Sequence, residues 1–139
     1  MIELRENFDI PGSTPQMRRL GRGGTHPSEG LRQARAAWQA LLERHRPERP
    51  MDRPVFLMVK PCYHSAARGG MRPKTTRPDW DNLLKIIKDA ATRAGWWRDD
   101  ALVYSESMER YFWPDADEVT ICAVEQPLAP EPWGGHGDD

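Results

Sequence analysis

The chain has 139 residues, 38% of them hydrophobic, with 20 basic and 21 acidic side chains and a net charge of −1. That length suits one domain with one modest core, and a mean hydropathy of −0.78 leaves room for sizeable polar loops. The near-zero balance excludes a nucleic-acid role argued from bulk charge, so only the distribution of charge can argue one. No apolar run approaches the ~18 residues of a membrane span and no signal-peptide core opens the chain, so a soluble, cytoplasmic protein is expected. Cys62 and Cys122 lack a framework of spacings and read as free thiols in a reducing compartment.

Ile2, Leu4, Phe8 and Ile10 alternate with polar residues, Glu6 being the one break, and predict a strand ended by Pro11-Gly12. Residues 11–27 then hold Arg18, Arg19 and Arg22 among glycines. This basic loop is either a solvated linker or a flexible arm that meets phosphates. Ser28 can cap a helix running to about His45, with Leu31, Ala34, Trp38, Leu41 and Leu42 on its apolar face. Pro47 and Pro50 stop it.

Val55 to Val59 is a continuous apolar run, expected as an internal strand buried on both faces. Residues 64–78 form a second basic loop, with Arg68, Arg72, Lys74 and Arg77 and no acid, a candidate phosphate-binding segment. A helix from about Trp80 or Asp81 to Ala94 follows, with Leu83, Ile86, Ile87, Ala90 and Ala94 as its stripe and Gly95 as its stop. Trp96 and Trp97 are expected over its end. Residues 101–124 look like a hairpin turned at Pro114–Asp117, and residues 126–139 like a disordered tail behind a single domain of residues 1–125. The order strand, helix, strand, helix, strand, strand predicts an α+β domain: a small mixed sheet with helices packed on it.

The chemistry concentrates in Pro78-Asp79-Trp80-Asp81-Asn82-Leu83-Leu84-Lys85 and in Asp99-Asp100. On a helix Asp81, Lys85 and Asp89 share the face opposite the stripe, and Asp79 immediately precedes it. Asp99 or Asp100 joins them if the chain folds back. Carboxylates gathered in this way repel one another unless a cation intervenes, and hard oxygen donors suit Mg²⁺ or Mn²⁺. Such ions serve phosphodiester hydrolysis, and Lys85 is placed to offset charge on the phosphate. Each element also has an ordinary structural reading: an N-cap, an i, i+4 ion pair, a turn. Cys62-Tyr63-His64 lacks the second ligand pair of a zinc site, and no P-loop, GxGxxG or Ser-His-Asp arrangement is present.

The two linked motifs, Pro-Asp-x-Asp-Asn-Leu-x-Lys and an Asp-Asp about twenty residues on, resemble the signature of the RusA family of Holliday-junction resolvases. The likeness covers roughly residues 50–125. It implies a Mg²⁺- or Mn²⁺-dependent homodimeric endonuclease that makes paired nicks across four-way DNA junctions in recombination and repair, often for a phage or prophage. By that resemblance Asp79, Asp81 and Asp100 are metal ligands and Lys85 is the catalytic lysine. Asn82, Asp89 and Asp99 are supporting residues, and Arg18, Arg19, Arg22, Arg68, Arg72, Lys74 and Arg77 rim the site toward DNA. The alternatives are a nuclease for flaps or other branched forms, and a DNA-binding relative that keeps the acids only as scaffold.

Overall fold

The computed structural model describes residues 1–11, 17–19, 25–27, 29–65, 70–75 and 80–127, with the backbone alone at 17–19, 25–27 and 80–82. The alternating N-terminal segment is strand β1 (Ile2–Asn7), and the short β2 (Met17–Arg19) and β3 (Thr25–Pro27) form a separate antiparallel pair. Helix α1 (Glu29–Glu43) leads to the long β4 (Val55–His64), then the short β5 (Arg72–Pro73) and helix α2 (Trp80–Ala94). A 3₁₀ turn at Asp100–Leu102 opens into β6 (Val103–Met108), followed by β7 (Tyr111–Trp113) and β8 (Glu118–Glu125).

The main sheet is mixed and six-stranded, in the order β1-β8-β4-β7-β5 with β6 also on β4. This is the expected α+β class. The expected hairpin over residues 101–124 is not formed. β8 runs antiparallel to β4 along one edge, from Val55↔Glu125 to Cys62↔Glu118. β6 and β7 lie parallel to β4 along its other edge. β4 is long enough to be bonded on both edges, and it separates strands that are neighbours in sequence.

β4 also extends past the apolar run and through Pro61, into what reads as basic loop. A proline in a central strand removes a ladder donor. Pro61 falls where that loss matters least: pairing with β6 ends at Val59, and pairing with β7 begins at Cys62. The carbonyl of Val59 points to this same edge, accepting the Glu109 N–H at 3.1 Å.

Val55, Leu57 and Val59 are buried while Phe56 and Met58 are half-buried, so the strand is not covered equally on its two faces. The reason is that α1 and α2 pack against each other, and their apolar stripes join one core with the inward residues of β1, β4 and β8. Among the described residues no helix lies on the opposite face. The stripe of α1 is buried as expected, with Trp38 fully enclosed and its ring 4.6 Å from that of Phe8. The expected stripe of α2 is buried too, widened by Leu84 and Ala91. Glu6, the break in the β1 pattern, meets Arg44 and His45 past the end of α1, each at 2.6 Å. Hydrogen bonds from His45 and then Arg44 hold its carboxyl below the ordinary value.

Gly95 ends α2 at φ +88°, a conformation that costs a residue with a Cβ. The Trp96 N–H returns to the Ala91 carbonyl at 3.0 Å and the Gly95 N–H to Thr92 at 3.2 Å, which satisfies carbonyls the helix would leave open. Trp96 and Trp97 are buried over this end, with Trp96 Nε1 donating to Leu42 O and Trp97 Nε1 to Thr92 Oγ1, both at 2.7 Å. Both cysteines are free, and burial raises both thiols above their ordinary value. Gln126, where the tail was expected to begin, still donates its N–H to Pro54 O at 2.8 Å; residues 128–139 lie outside the described residues.

Candidate active site

The site is organised by α2. Its packing face is a nearly unbroken aliphatic stripe, so the helix can hold only one rotation about its axis against α1 and the sheet. That rotation leaves Lys85 exposed. Asp81 and Asn82 lie in the first turn; their backbone is helical, and their side chains, with all of Arg77 and Asp79, fall outside the described residues. Asp89 is half-buried and lies 3.5 Å from Arg93 in an i, i+4 pair.

After α2 the chain does fold back. The Met51 N–H donates to Trp96 O at 2.8 Å, and the Arg98 N–H to Met51 O at 3.1 Å, pinning the turn to the segment before β4. The 3₁₀ turn then packs against α2, and β6 runs back beside the helix, where Lys88 meets Glu106 at 2.9 Å. The β4–α2–β6 crossover therefore places Asp99 and Asp100 in a turn that touches α2, between the helix end and β6.

The two adjacent acids in that turn have different surroundings. Asp99 is the N-cap of the 3₁₀ turn, its Oδ1 accepting the Ala101 N–H at 2.8 Å. One oxygen of its carboxylate is thereby engaged by local backbone, as the ordinary reading of a turn acid requires. Asp100 is exposed, and among the described residues its carboxylate makes no hydrogen bond or ion pair. Of the pair, Asp100 is the side chain with both carboxylate oxygens unengaged among the described residues. Among the described residues no three His, Cys, Asp or Glu side chains converge, and Asp79 and the Asp81 side chain lie outside that set.

The basic segments divide similarly. Arg18 and Arg19 fall on β2, where only the backbone is described, and Arg22 and Arg68 lie outside the described residues. Arg72 and Lys74 are not the side chains of a solvated loop. Arg72 sits on β5, its guanidinium 4.7 Å from the centre of the Phe112 ring and its Nη2 3.3 Å from Ser65 Oγ. Lys74 is only 9% exposed, with Nζ 5.1 Å from the ring centres of both Tyr63 and Phe112. Burial, and then Arg110, lower its pKa, and burial pushes the Tyr63 phenol up to about 12. This cation-and-ring cluster buttresses the strand that leads toward the acidic motif. Neither it nor the Lys88–Glu106 tie was visible in sequence. Tyr63 and Phe112 are far apart along the chain, and only the shared β4–β7 ladder brings them together.

A one-sided mixed sheet, two helices against it, and an acid-bearing helix followed by an acid-bearing turn define a small α+β domain with a polar working edge. The family model described as Endodeoxyribonuclease RusA matches residues 10–122. The chain belongs to the RusA endodeoxyribonuclease family, whose members are nucleases of the Holliday-junction resolvase class and act on branched DNA. No curated protein matches the chain.

Proposed function

We propose that this chain cleaves four-way DNA junctions by paired nicks, as a homodimer dependent on Mg²⁺ or Mn²⁺. Its setting would be DNA recombination and repair in the cytoplasm, with a phage or prophage as the source. The observation that carries this reading is the division between Asp99 and Asp100. The acid needed as a ligand is the one the local fold does not use.

The donors on offer are carboxylates, hard oxygen ligands that fit these two ions and not zinc. Asp79, Asp81 and Asp100 would hold the metal. When bound, it supplies water activation and stabilisation of the charge that builds on the scissile phosphate. Lys85, one turn beyond Asp81 and exposed, is placed to offset that phosphate charge. Asn82 supports from the first turn, Asp89 holds Arg93, and Asp99 fixes the turn that presents Asp100. A homodimer is part of the reading because paired nicks need two such sites.

The test is cleavage of a synthetic four-way junction by the purified chain, with Mg²⁺ and with chelator, beside flap and linear duplex substrates at one salt concentration. Metal-dependent paired nicks in the junction support the reading. A chain that cuts flaps but not junctions is a branched-DNA nuclease of another kind. A chain that binds all three and cuts none is a DNA-binding relative.

A further inference from the structure

Beside the acid-bearing turn lies an open cavity of about 550 Å³, between the α1–β4 linker and the end of β8. Arg49, Arg53 and Arg98 line it, with Glu48, Asp52 and Glu125. Four exposed arginines elsewhere meet carboxylates: Arg5 meets Glu118 at 2.9 Å, Arg44 meets Glu6 at 2.6 Å, Arg32 meets Glu29 at 3.7 Å and Arg93 meets Asp89 at 3.5 Å, while among the described residues Arg46 is a lone exposed exception outside the cavity. Among the described residues the guanidinium groups of Arg49, Arg53 and Arg98 form no hydrogen bond or ion pair, although three carboxylates line the same cavity. Glu125 is directed elsewhere: its Oε2 accepts the backbone N–H of Asp52 at 2.9 Å and of Arg53 at 3.1 Å. Glu48 and Asp52 are exposed.

The frame is rigid. Glu125 fixes the 52–53 backbone, the Gln126 N–H bonds to Pro54 O at 2.8 Å, and Met51 is bonded to both Trp96 and Arg98. Arg98 is covalently next to Asp99, so the cavity borders the turn that carries Asp100. Three guanidinium groups with no lysine among them suit the oxygens of a phosphodiester, which their planar fork can engage in pairs.

We propose that Arg49, Arg53 and Arg98 form a backbone-phosphate site for the DNA strand that reaches Asp100, setting the register of the strand against the acids. This rests on the reading of the chain as a nuclease of branched DNA. It adds to the basic loops a contact surface beside the acidic turn. Phosphate contacts fix position without reading sequence, and their signature is salt dependence.

The test is binding of a fluorescent four-way junction in chelator, where no cutting occurs, across a series of salt concentrations. The variants are Arg49→Gln/Arg53→Gln/Arg98→Gln, the single Arg98→Glu, and Arg5→Gln as a control on another part of the surface. The expected result is a loss of roughly tenfold or more for the triple variant, with a log-affinity against log-salt slope shallower by up to about 3. Arg98→Glu should weaken binding in the same direction, and Arg5→Gln should leave affinity and slope unchanged. A folded triple variant with the wild-type affinity and slope overturns the site, as does an equal loss in Arg5→Gln. A wild-type chain that binds no junction at any salt overturns the nuclease reading itself, a result separable from the first two.

Discussion

The two faces of α2 do different work. One carries Leu83, Leu84, Ile86, Ile87, Ala90, Ala91 and Ala94, every one buried, and belongs to the common core of both helices and the sheet. The other carries Lys85 exposed and Asp89 half-exposed, on the face that Asp81 shares by helical spacing. The apolar face sets where the helix lies and how it is rotated; the polar face takes its position from that setting and contributes little to it. Stability and chemistry should therefore separate cleanly by face, and substitutions on the two faces can break that separation or sharpen it.

The largest effects are expected on the polar face, in activity alone. Asp81→Asn should lower junction cleavage by several kcal/mol of transition-state stabilisation, roughly a thousandfold or more in rate, with the thermal midpoint nearly unchanged. Single-turnover cleavage beside thermal unfolding checks both halves. Lys85→Ala should lower the rate by about a hundredfold to a thousandfold with junction binding in chelator largely kept, the scale of removing one charge-stabilising group. On the apolar face the pattern inverts. Ile87→Ala removes a side chain that is 1% exposed and should destabilise by about 2–5 kcal/mol in urea unfolding, with cleavage per folded molecule preserved. Full loss of cleavage in a folded Ile87→Ala protein would mean that the faces are coupled.

Smaller effects sharpen the frame. Gly95→Ala places a Cβ on a residue at φ +88° and should cost about 1 kcal/mol, again without loss of cleavage per folded molecule. At the far end of α1, Glu6→Gln removes charge from the bonds to Arg44 and His45 and should cost at most about 1 kcal/mol near neutral pH. The folded-state pKa of Glu6 is depressed, so its contribution is present above the ordinary value of 4.5 and is lost as pH falls below it. Thermal midpoints of wild type and Glu6→Gln should converge in acid; a gap that stays constant from pH 7 down through that range would contradict the assignment.

Much of this arrangement is legible in the sequence because local rules govern it. The stripes of both helices follow from spacing, the stop at Gly95 from the left-handed conformation a helix end requires, and the burial of Trp96 and Trp97 from their place after it. The topology is not local. Nothing in residues 101–124 states that β8 will sit between β1 and β4, because that choice is made by the free edges of a strand some fifty residues earlier. The extension of β4 through Pro61 depends on a gap in its partner strands, and Glu6 breaks its pattern for Arg44 and His45, which only tertiary structure brings near. At the candidate site, residue types and motif spacing single out the acids and the lysine as the residues to test. They did not distinguish a phosphate-seeking Lys74 from one packed on Tyr63 and Phe112, nor pick out Arg49, Arg53 and Arg98 from other scattered charges.

The most direct test compares the adjacent acids, whose side chains differ in what the fold asks of them. Asn caps a helical turn about as well as Asp does, so Asp99→Asn should keep the turn and retain most junction cleavage in Mg²⁺. Asp100→Asn removes the carboxylate the fold leaves unengaged and should reduce cleavage to background, while metal-free junction binding and the thermal midpoint stay near wild type. Equal cleavage by the two variants, or loss in Asp99→Asn with activity kept in Asp100→Asn, would contradict the account.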